Sequence, residues 1–469
     1  MRRWCCMTLC GMLLHPALAG ATDPLTLDAA IQTALRHNAR LAYGGLAVER
    51  QRMGVTSARQ EFDPELSPNG SVNDTESGTD WRYGIEARKK LLWGTEIGLG
   101  AEVARYPSFV DEAWRSAVKV DIRQPLFRNF GRLVNEEGIT AAGDRLRAEE
   151  RRWELQKADI IVEVVRSFET IIRLQKQTEC DKAILERSEK LRELTRIRER
   201  QGRASHVDTL RIELLFGQAQ SRQESHQEQL FSASRELTEL LGYPPDKTLD
   251  LAVTPLPDLE VPAMESAIQT SLSNRLDYAQ TLDDYRGLQR QVLLARHNLQ
   301  PDLTLVAESQ QYDQNNRFAD TLDLNRNLWT VGLAGHTDLL QHRSRTAVTA
   351  SEMDVQAGWD AVFIKMRTLA REVQQAVSAY RQVRAEFAIA GRNYEAAQAR
   401  AELARRLFEM GRGDNFTVSD AENAFVEAES TLLSTRANIC VAGYTLLRTT
   451  GTLTEAPPSL KPRFVDLHL

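Results

Sequence analysis

Ile160-Ile161-Val162-Glu163-Val164-Val165-Arg166-Ser167-Phe168-Glu169-Thr170-Ile171-Ile172 is the stretch that decides the fold. Its apolar residues return at steps of three and four, the period of a helix. The same period holds through a proline-free run from Asn135 to Arg200, 66 residues rich in Glu, Arg, Leu, Ala and Gln. Globular helices seldom pass about 25 residues. At the rise of an α-helix the run predicts a rod of about 99 Å, roughly three times the hydrocarbon core of a bilayer.

The rod stops at Gln201-Gly202-Arg203-Ala204-Ser205-His206, and a second helical stretch runs back over 207–241. Glycine frees the backbone to end the helix, and serine can start the return. The pattern recurs as a long helix over 344–410, a tip at 411–416 (Gly411-Arg412-Gly413-Asp414-Asn415-Phe416) and a return helix over 417–450. Two antiparallel hairpins of this length cross a space rather than fill a globule.

The recurrence is an internal duplication. Ala30-Ile31-Gln32-Thr33-Ala34-Leu35 returns 237 residues on as Ala267-Ile268-Gln269-Thr270-Ser271-Leu272, and Ala58-Arg59, Pro64 and Leu66 match Ala295-Arg296, Pro301 and Leu303 at the same offset. Farther on Trp153 matches Trp359 and Gly202 matches Gly411. The first repeat is expected over 20–242 and the second over 263–451, each reading helix, strands, long helix, tip, return helix. Between them the linker 243–262 holds five prolines, which forbid a helix. The start of the mature chain and the tail 452–469 read as loose ends.

Residues 1–19 have the form of a secretory signal peptide: Arg2 and Arg3, an apolar run from Trp4 to Leu14, then Ala17-Leu18-Ala19. Of five cysteines, only Cys180 and Cys440 would remain after cleavage, both in helical stretches and read as small buried side chains. No later segment has 18 consecutive apolar residues. An exported chain without a membrane helix is either soluble beyond the inner membrane or a β-barrel.

The period switches to two over about 64–127 and again over about 302–340. Trp81, Tyr83, Ile85 and Ala87 alternate with Arg82, Gly84, Glu86 and Arg88, and Val118, Val120 and Ile122 alternate with Lys119, Asp121 and Arg123. In the second half Trp329, Val331 and Leu333 alternate with Thr330, Gly332 and Ala334. An apolar face, a charged face and flanking aromatics mark a membrane barrel. Four strand-like segments fall in the first half, the weakest near Glu65–Asn73, and two in the second; the surplus amounts to one extra hairpin. One chain cannot close a water-filled barrel from so few strands, so cyclic copies must pair its edges. With four spanning strands and three copies the barrel would hold twelve strands.

On these residues the chain resembles the TolC-like outer-membrane factors. The resemblance rests on Ala30–Leu35 followed by Asn38, on Phe62-Asp63-Pro64, on Gln124-Pro125-Leu126-Phe127, and on the two turn motifs. It implies an α+β membrane protein: a homotrimer forming an outer-membrane β-barrel of about four strands per chain with room for the extra hairpin, continued by a long α-helical coiled-coil periplasmic tunnel. It implies a passive exit duct of a tripartite efflux pump or a type I secretion system, with outer-membrane lipid around the barrel. The tips would meet a periplasmic adaptor and an inner-membrane transporter.

Family tips often carry acids six and nine positions after the turn glycine. Here those positions hold Thr417 and Asp420 in the second hairpin, and Asp208 holds the first of them in the first hairpin. Asp420, Thr417 and Asp208 are the expected constriction, where a ring of carboxylates would attract cations. Asp420 can equally serve only to start its helix, where a carboxylate suits the helix dipole. Gly202, Arg203, Gly411 and Arg412 are the expected adaptor-docking residues, against the plain reading of solvated turn residues.

No catalytic, cofactor-binding or metal-binding residue is expected. The chain has no phosphate-cradling glycine loop, no Gly-x-Ser-x-Gly elbow and no Cys-x-x-Cys. Acids balance the basic residues along the helices, which argues against nucleic acid. The rival reading is a soluble periplasmic coiled-coil scaffold or adaptor without a pore. A detergent-free, nearly all-helical monomer would mark that rival.

Overall fold

The computed structural model describes residues 24–75, 78–106, 113–202, 204–245, 247, 249–253, 255–256, 259–336, 338, 340–410, 412–413 and 415–463. The expected signal segment 1–19 and the expected site residues Arg203 and Gly411 lie outside them.

The first repeat contains α1 (Leu27–His37), α2 (Ala39–Gln60), β1 (Glu65–Thr75), β2 (Gly78–Lys90), β3 (Glu96–Tyr106), β4 (Ala113–Pro125), α3 (Arg132–Asn135), α4 (Glu137–Arg200) and α5 (His206–Leu240). The second contains α6 (Met264–Asn274), α7 (Leu276–His297), β5 (Asp302–Asn315), β6 (Arg326–His336), α8 (His342–Glu409) and α9 (Asn415–Thr450). The chain packs as two compact units. One takes Met1–Arg36, Glu163–Pro257 and Ala390–Ala437; the other takes His37–Val162, Asp258–Ile389 and Asn438–Leu469.

Each repeat opens with two helices where the sequence pattern suggested one. In the first, Asn38 has extended backbone (φ −65°, ψ 125°) and its side chain accepts hydrogen bonds from the Arg40 and Leu41 amides, capping α2. At the same offset in the second repeat stands Arg275, again extended (φ −67°, ψ 119°), with no side-chain cap. Its guanidinium instead grips Asp277 with two hydrogen bonds of 2.9 and 2.7 Å and reaches Glu372 at 3.1 Å. A bidentate pair fixes geometry as well as charge.

The long helix also starts later than expected. Asn135 donates from Nδ2 to the carbonyls of Asn129 and Gly131, both at 2.9 Å, so it closes the β4–α3 connection instead of continuing the rod. α4 buries a wide apolar face. Ile160, Ile161, Val164, Val165, Phe168, Ile171 and Ile172 are all buried within the single chain.

In the second unit the strands form one antiparallel sheet in the order β1-β2-β3-β4-β5-β6. The expected four strands with an extra hairpin are therefore six, paired in sequence order. Partners across the sheet share a face, which gives rows such as Leu66, Ala87, Leu99 and Val120 on one side and Ser67, Glu86, Gly100 and Lys119 on the other. On the apolar side Leu66, Ile85, Leu99, Val120, Val331 and Leu333 are exposed. The other side carries ion pairs, including Arg82–Glu102 at 3.1 Å and Lys119–Glu308 at 3.2 Å. β1 contains Pro68. Proline lacks one ladder N–H and is best tolerated on an outer strand; within the single chain β1 is the outermost. Neither β1 nor β6 has a second strand partner among the described residues.

Helix packing in this unit centres on two apolar clusters. One joins Ala267, Val373, Val377, Tyr380, Ile439, Cys440 and Leu446; the other joins Tyr278, Leu282, Val362 and Leu369. No described helix is long and apolar enough to cross a membrane.

Two segments read as loose are tied down. In the first unit Leu25 pairs with Leu251 in a parallel bridge, its amide donating to the Asp250 carbonyl at 2.7 Å. In the second, Leu460 is buried and its carbonyl accepts from Arg151 Nε at 2.9 Å, while Arg286 donates to the Arg463 carbonyl at 2.7 Å. The Leu460 carbonyl thereby supplies a partner that the buried Arg151 guanidinium requires.

Candidate functional site

The tips of both hairpins belong to the first unit. At the end of α4 the Gly202 amide donates to the Glu199 carbonyl at 2.9 Å. Gly202 has φ +66°, and a Cβ there would meet nothing within 4 Å. The glycine is needed for its left-handed backbone, not for space.

Ser205 and Asp208 then form a capping box. The Asp208 amide donates to Ser205 Oγ at 3.2 Å, and Asp208 Oδ2 accepts from the Ser205 amide at 3.0 Å. Glu199 staples the turn from the other side. Its carboxylate accepts from Thr209 Oγ1 at 2.7 Å and lies 2.9 Å from His206 Nδ1. Those two hydrogen bonds, Thr209 first, hold the Glu199 carboxyl below the usual carboxylate range.

At the second tip the Arg412 amide reaches back to the Leu407 carbonyl at 2.9 Å, closing the end of α8. Asp420 on α9 is ion-paired with Arg400 on α8. The two tips are joined by arginines. Arg198 on α4 donates to the Phe408 carbonyl of α8 at 2.9 Å, and its guanidinium lies 4.0 Å over the Phe408 ring. That carbonyl is one of the last four of α8, which have no partner within the helix. Arg211 on α5 lies 5.3 Å over the Phe416 ring.

Behind the tips the four helices enclose a cavity of about 270 Å³ lined by Ile184, Leu191, Leu215, Phe408, Val418 and Val426 together with charged side chains. Glu422 is buried there, with Arg405 Nε at 2.9 Å from one oxygen and Arg187 Nε at 3.7 Å from the other. Arg222 also lines the cavity, and its Nε and Nη2 are buried without a hydrogen-bond partner. A buried carboxylate between two guanidiniums makes this packing depend on charge, because removing one partner strands the other.

The expected constriction residues are thus distributed. Asp208 is half-buried and belongs to the capping box; Arg211 Nη1 lies 3.8 Å from its other oxygen. Asp420 is exposed against Arg400, and Thr417 is exposed on the first turn of α9. Gly202 and Arg412 are exposed on the turns. Sequence reasoning missed Glu199, Arg198, Arg400 and the Glu422 cluster. Glu422 could have been found: it follows Val418 by four residues on the face that also buries Ala421 and Phe425.

Exposed apolar side chains crowd the same end. Val207, Leu210 and Leu214 stand at i, i+3 and i+7 on α5, with Met410 and Phe416 at the second tip, all more than half exposed. A stripe of that spacing on a helix is a packing face.

The family model described as outer membrane efflux protein matches residues 30–243 and 267–452, one match to each repeat. Among solved structures the fold is similar to the outer membrane protein VceC from Vibrio cholerae, at 16% identity and TM-score 0.68, covering 91% of this chain and 96% of that one. It is similar to the CmeC outer membrane channel of Campylobacter jejuni, at 12% identity and TM-score 0.71, covering 92% and 87%. The open state of the MtrE outer membrane channel of Neisseria gonorrhoeae gives 16% identity and TM-score 0.68, covering 91% and 89%. No curated protein matches the chain in sequence.

Proposed function

The chain belongs to the outer membrane efflux protein family, and from that premise we propose that three copies form the passive exit duct of a tripartite efflux pump or a type I secretion system. As a member of that family the protein is a transport channel of the outer membrane, extending into the periplasm, and not an enzyme.

One observation carries the reading. The sheet exposes an apolar face and a charged face, and both of its edges are open among the described residues. In lipid an open edge leaves amides and carbonyls without partners, each at a cost of several kcal/mol, so only closed barrels are stable there. Closure by other copies, β6 of one against β1 of the next, pairs both edges, β1 giving up only the one ladder hydrogen bond that Pro68 cannot donate. The number three is the one the family implies.

The tips are the proposed inner end. Gly202, Arg203, Gly411 and Arg412 would meet a periplasmic adaptor joined to an inner-membrane transporter, and the exposed apolar residues Val207, Leu210, Met410 and Phe416 would add contact area. Asp420, Thr417 and Asp208 would line the constriction. Charge complementarity at such a rim governs encounter and register more than affinity.

Fractionation of the producing cells, followed by native mass spectrometry of the detergent extract, tests the proposal. The expected result is a trimer recovered only from outer membrane with detergent. Pull-down with tip variants such as Arg412→Glu should then lose a co-purifying adaptor while the trimer persists. A monomer in the soluble fraction would overturn the duct.

A further inference from the structure

We propose that the β1–β2 hairpin spans the membrane beside the other four strands, so that three copies close a barrel of 18 strands instead of twelve. The proposal rests on the trimeric duct argued above and adds the width of its outer section.

Pairing is continuous across the hairpin. β1 pairs with β2 from Glu65↔Arg88 to Thr75↔Gly78, and β2 pairs with β3 from Trp81↔Arg105 to Lys90↔Glu96. A hairpin that left the barrel wall would break one of these ladders. Its strands are also long enough. β1 has 11 residues and β2 has 13, against 11, 13, 14 and 11 for the remaining four. A tilted strand of about 9–11 residues crosses the hydrocarbon.

The faces agree as well. Leu66 and Ile85 of the hairpin are 65% and 46% exposed on the side where β3 and β4 expose Leu99 and Val118 at 52% and 42%. Opposite them, Glu86 and Arg88 pair at 2.6 Å, and Arg82 crosses to Glu102 on β3. A soluble appendage has no reason to keep an exposed apolar face in register with the membrane strands, because water would penalise it.

The helix-side end of the hairpin is pinned at the level where β4 leaves the sheet. Trp93, in the turn between β2 and β3, stacks on Phe130 with ring centroids 6.0 Å apart, and its carbonyl accepts from the Gly131 amide at 3.1 Å. Gly94 beside it has φ +92°, and a Cβ there would lie 2.5 Å from the Asn129 carbonyl oxygen. β2 and β4 therefore end at one rim.

Barrel diameter grows roughly linearly with strand number, so 18 strands widen the bore by about half and its cross-section about twofold. The added wall carries Arg82, Glu86 and Arg88 in ion pairs rather than a single sign of charge. The outer section would then admit wider cargo than a twelve-stranded wall.

Cryo-electron microscopy of the full mature chain in lipid nanodiscs decides the matter. The expected section is a trimer with 18 strands in the wall. A trimer with any other strand count, the hairpin lying off the wall, overturns this inference and leaves the duct standing. A particle that is not a trimer overturns the duct and this inference with it. Cysteine labelling in proteoliposomes gives a second reading, with Cys180 and Cys440 replaced by serine. A membrane-impermeant maleimide should label Glu86→Cys and spare Ile85→Cys. Equal labelling of both would place the hairpin in water and overturn the inference.

Discussion

Arg400 on α8 and Asp420 on α9 form an ion pair across the second tip, so an acid expected at the constriction has a cation beside it. Both side chains are about half exposed, which places the pair in the class that contributes little to stability. Its effect is on charge at the tip. Block of single-channel current by a trivalent cation should weaken in Asp420→Ala by about tenfold in half-blocking concentration, a change of roughly 1.4 kcal/mol. Arg400→Ala should strengthen the block by freeing the carboxylate. Block unchanged in both variants would remove Asp420 from the constriction.

The Ser205–Asp208 capping box stabilises the start of α5. Ser205→Ala removes one half of it and should cost about 1 kcal/mol. Hydrogen exchange should quicken in the first turn of α5 and stay unchanged in its last turns. Ser205→Asn, which keeps a capping oxygen, should exchange nearly as the parent does.

Glu422 is the buried acid behind the tips, and Arg405 is its shorter partner. Replacing Arg405 by Ala strands the carboxylate and should destabilise the protein by roughly 2–3 kcal/mol, below the usual cost for a buried pair because Arg405 is a third exposed. Replacing both, as Arg405→Met with Glu422→Leu, should recover most of that loss. Thermal unfolding of the two single variants and the double variant measures the coupling. Additive losses would show that the two groups do not depend on each other.

Asp277 gives a pH signature. Burial pushes its carboxyl up, but the hydrogen bonds and charges of Arg275 and Lys365 outweigh burial and hold it well below the usual carboxylate range. A depressed native value means that its stabilisation is complete above the unfolded value, about 3.9, and is lost as pH falls toward the native one. Asp277→Asn should therefore be less stable than the parent at pH 7, with the gap closing below about pH 4. Denaturation midpoints at pH 7, 5 and 3 check the sign; a gap that widens on acidification would contradict it.

The rods were legible because their signal is repeated over many turns. Ile160 to Ile172 alone gives the period, and both glycine turns stand where the period stops. The strands were legible where charge alternates with apolar residues, as at Lys119 to Arg123, and faint in β1, where Pro68 interrupts the pattern at an edge. The break between paired helices was hidden, since Asn38 and Arg275 do the same work by different chemistry: one caps a helix, the other grips two acids. Asp208 and Asp420 were singled out by position alone, but their partners Ser205 and Arg400 depend on which side chains the turns bring together. Glu422 looked like one more charge on a polar helix because its burial is set by three other helices.

Planar-bilayer recording from the purified mature chain, with stoichiometry fixed by native mass spectrometry of the same preparation, bears on the shared duct without intermediates. Long-lived conducting events should come only from trimers, and their conductance should fall when trivalent cation is added to the side bearing the tips. A detergent-free monomer that never conducts would contradict the duct.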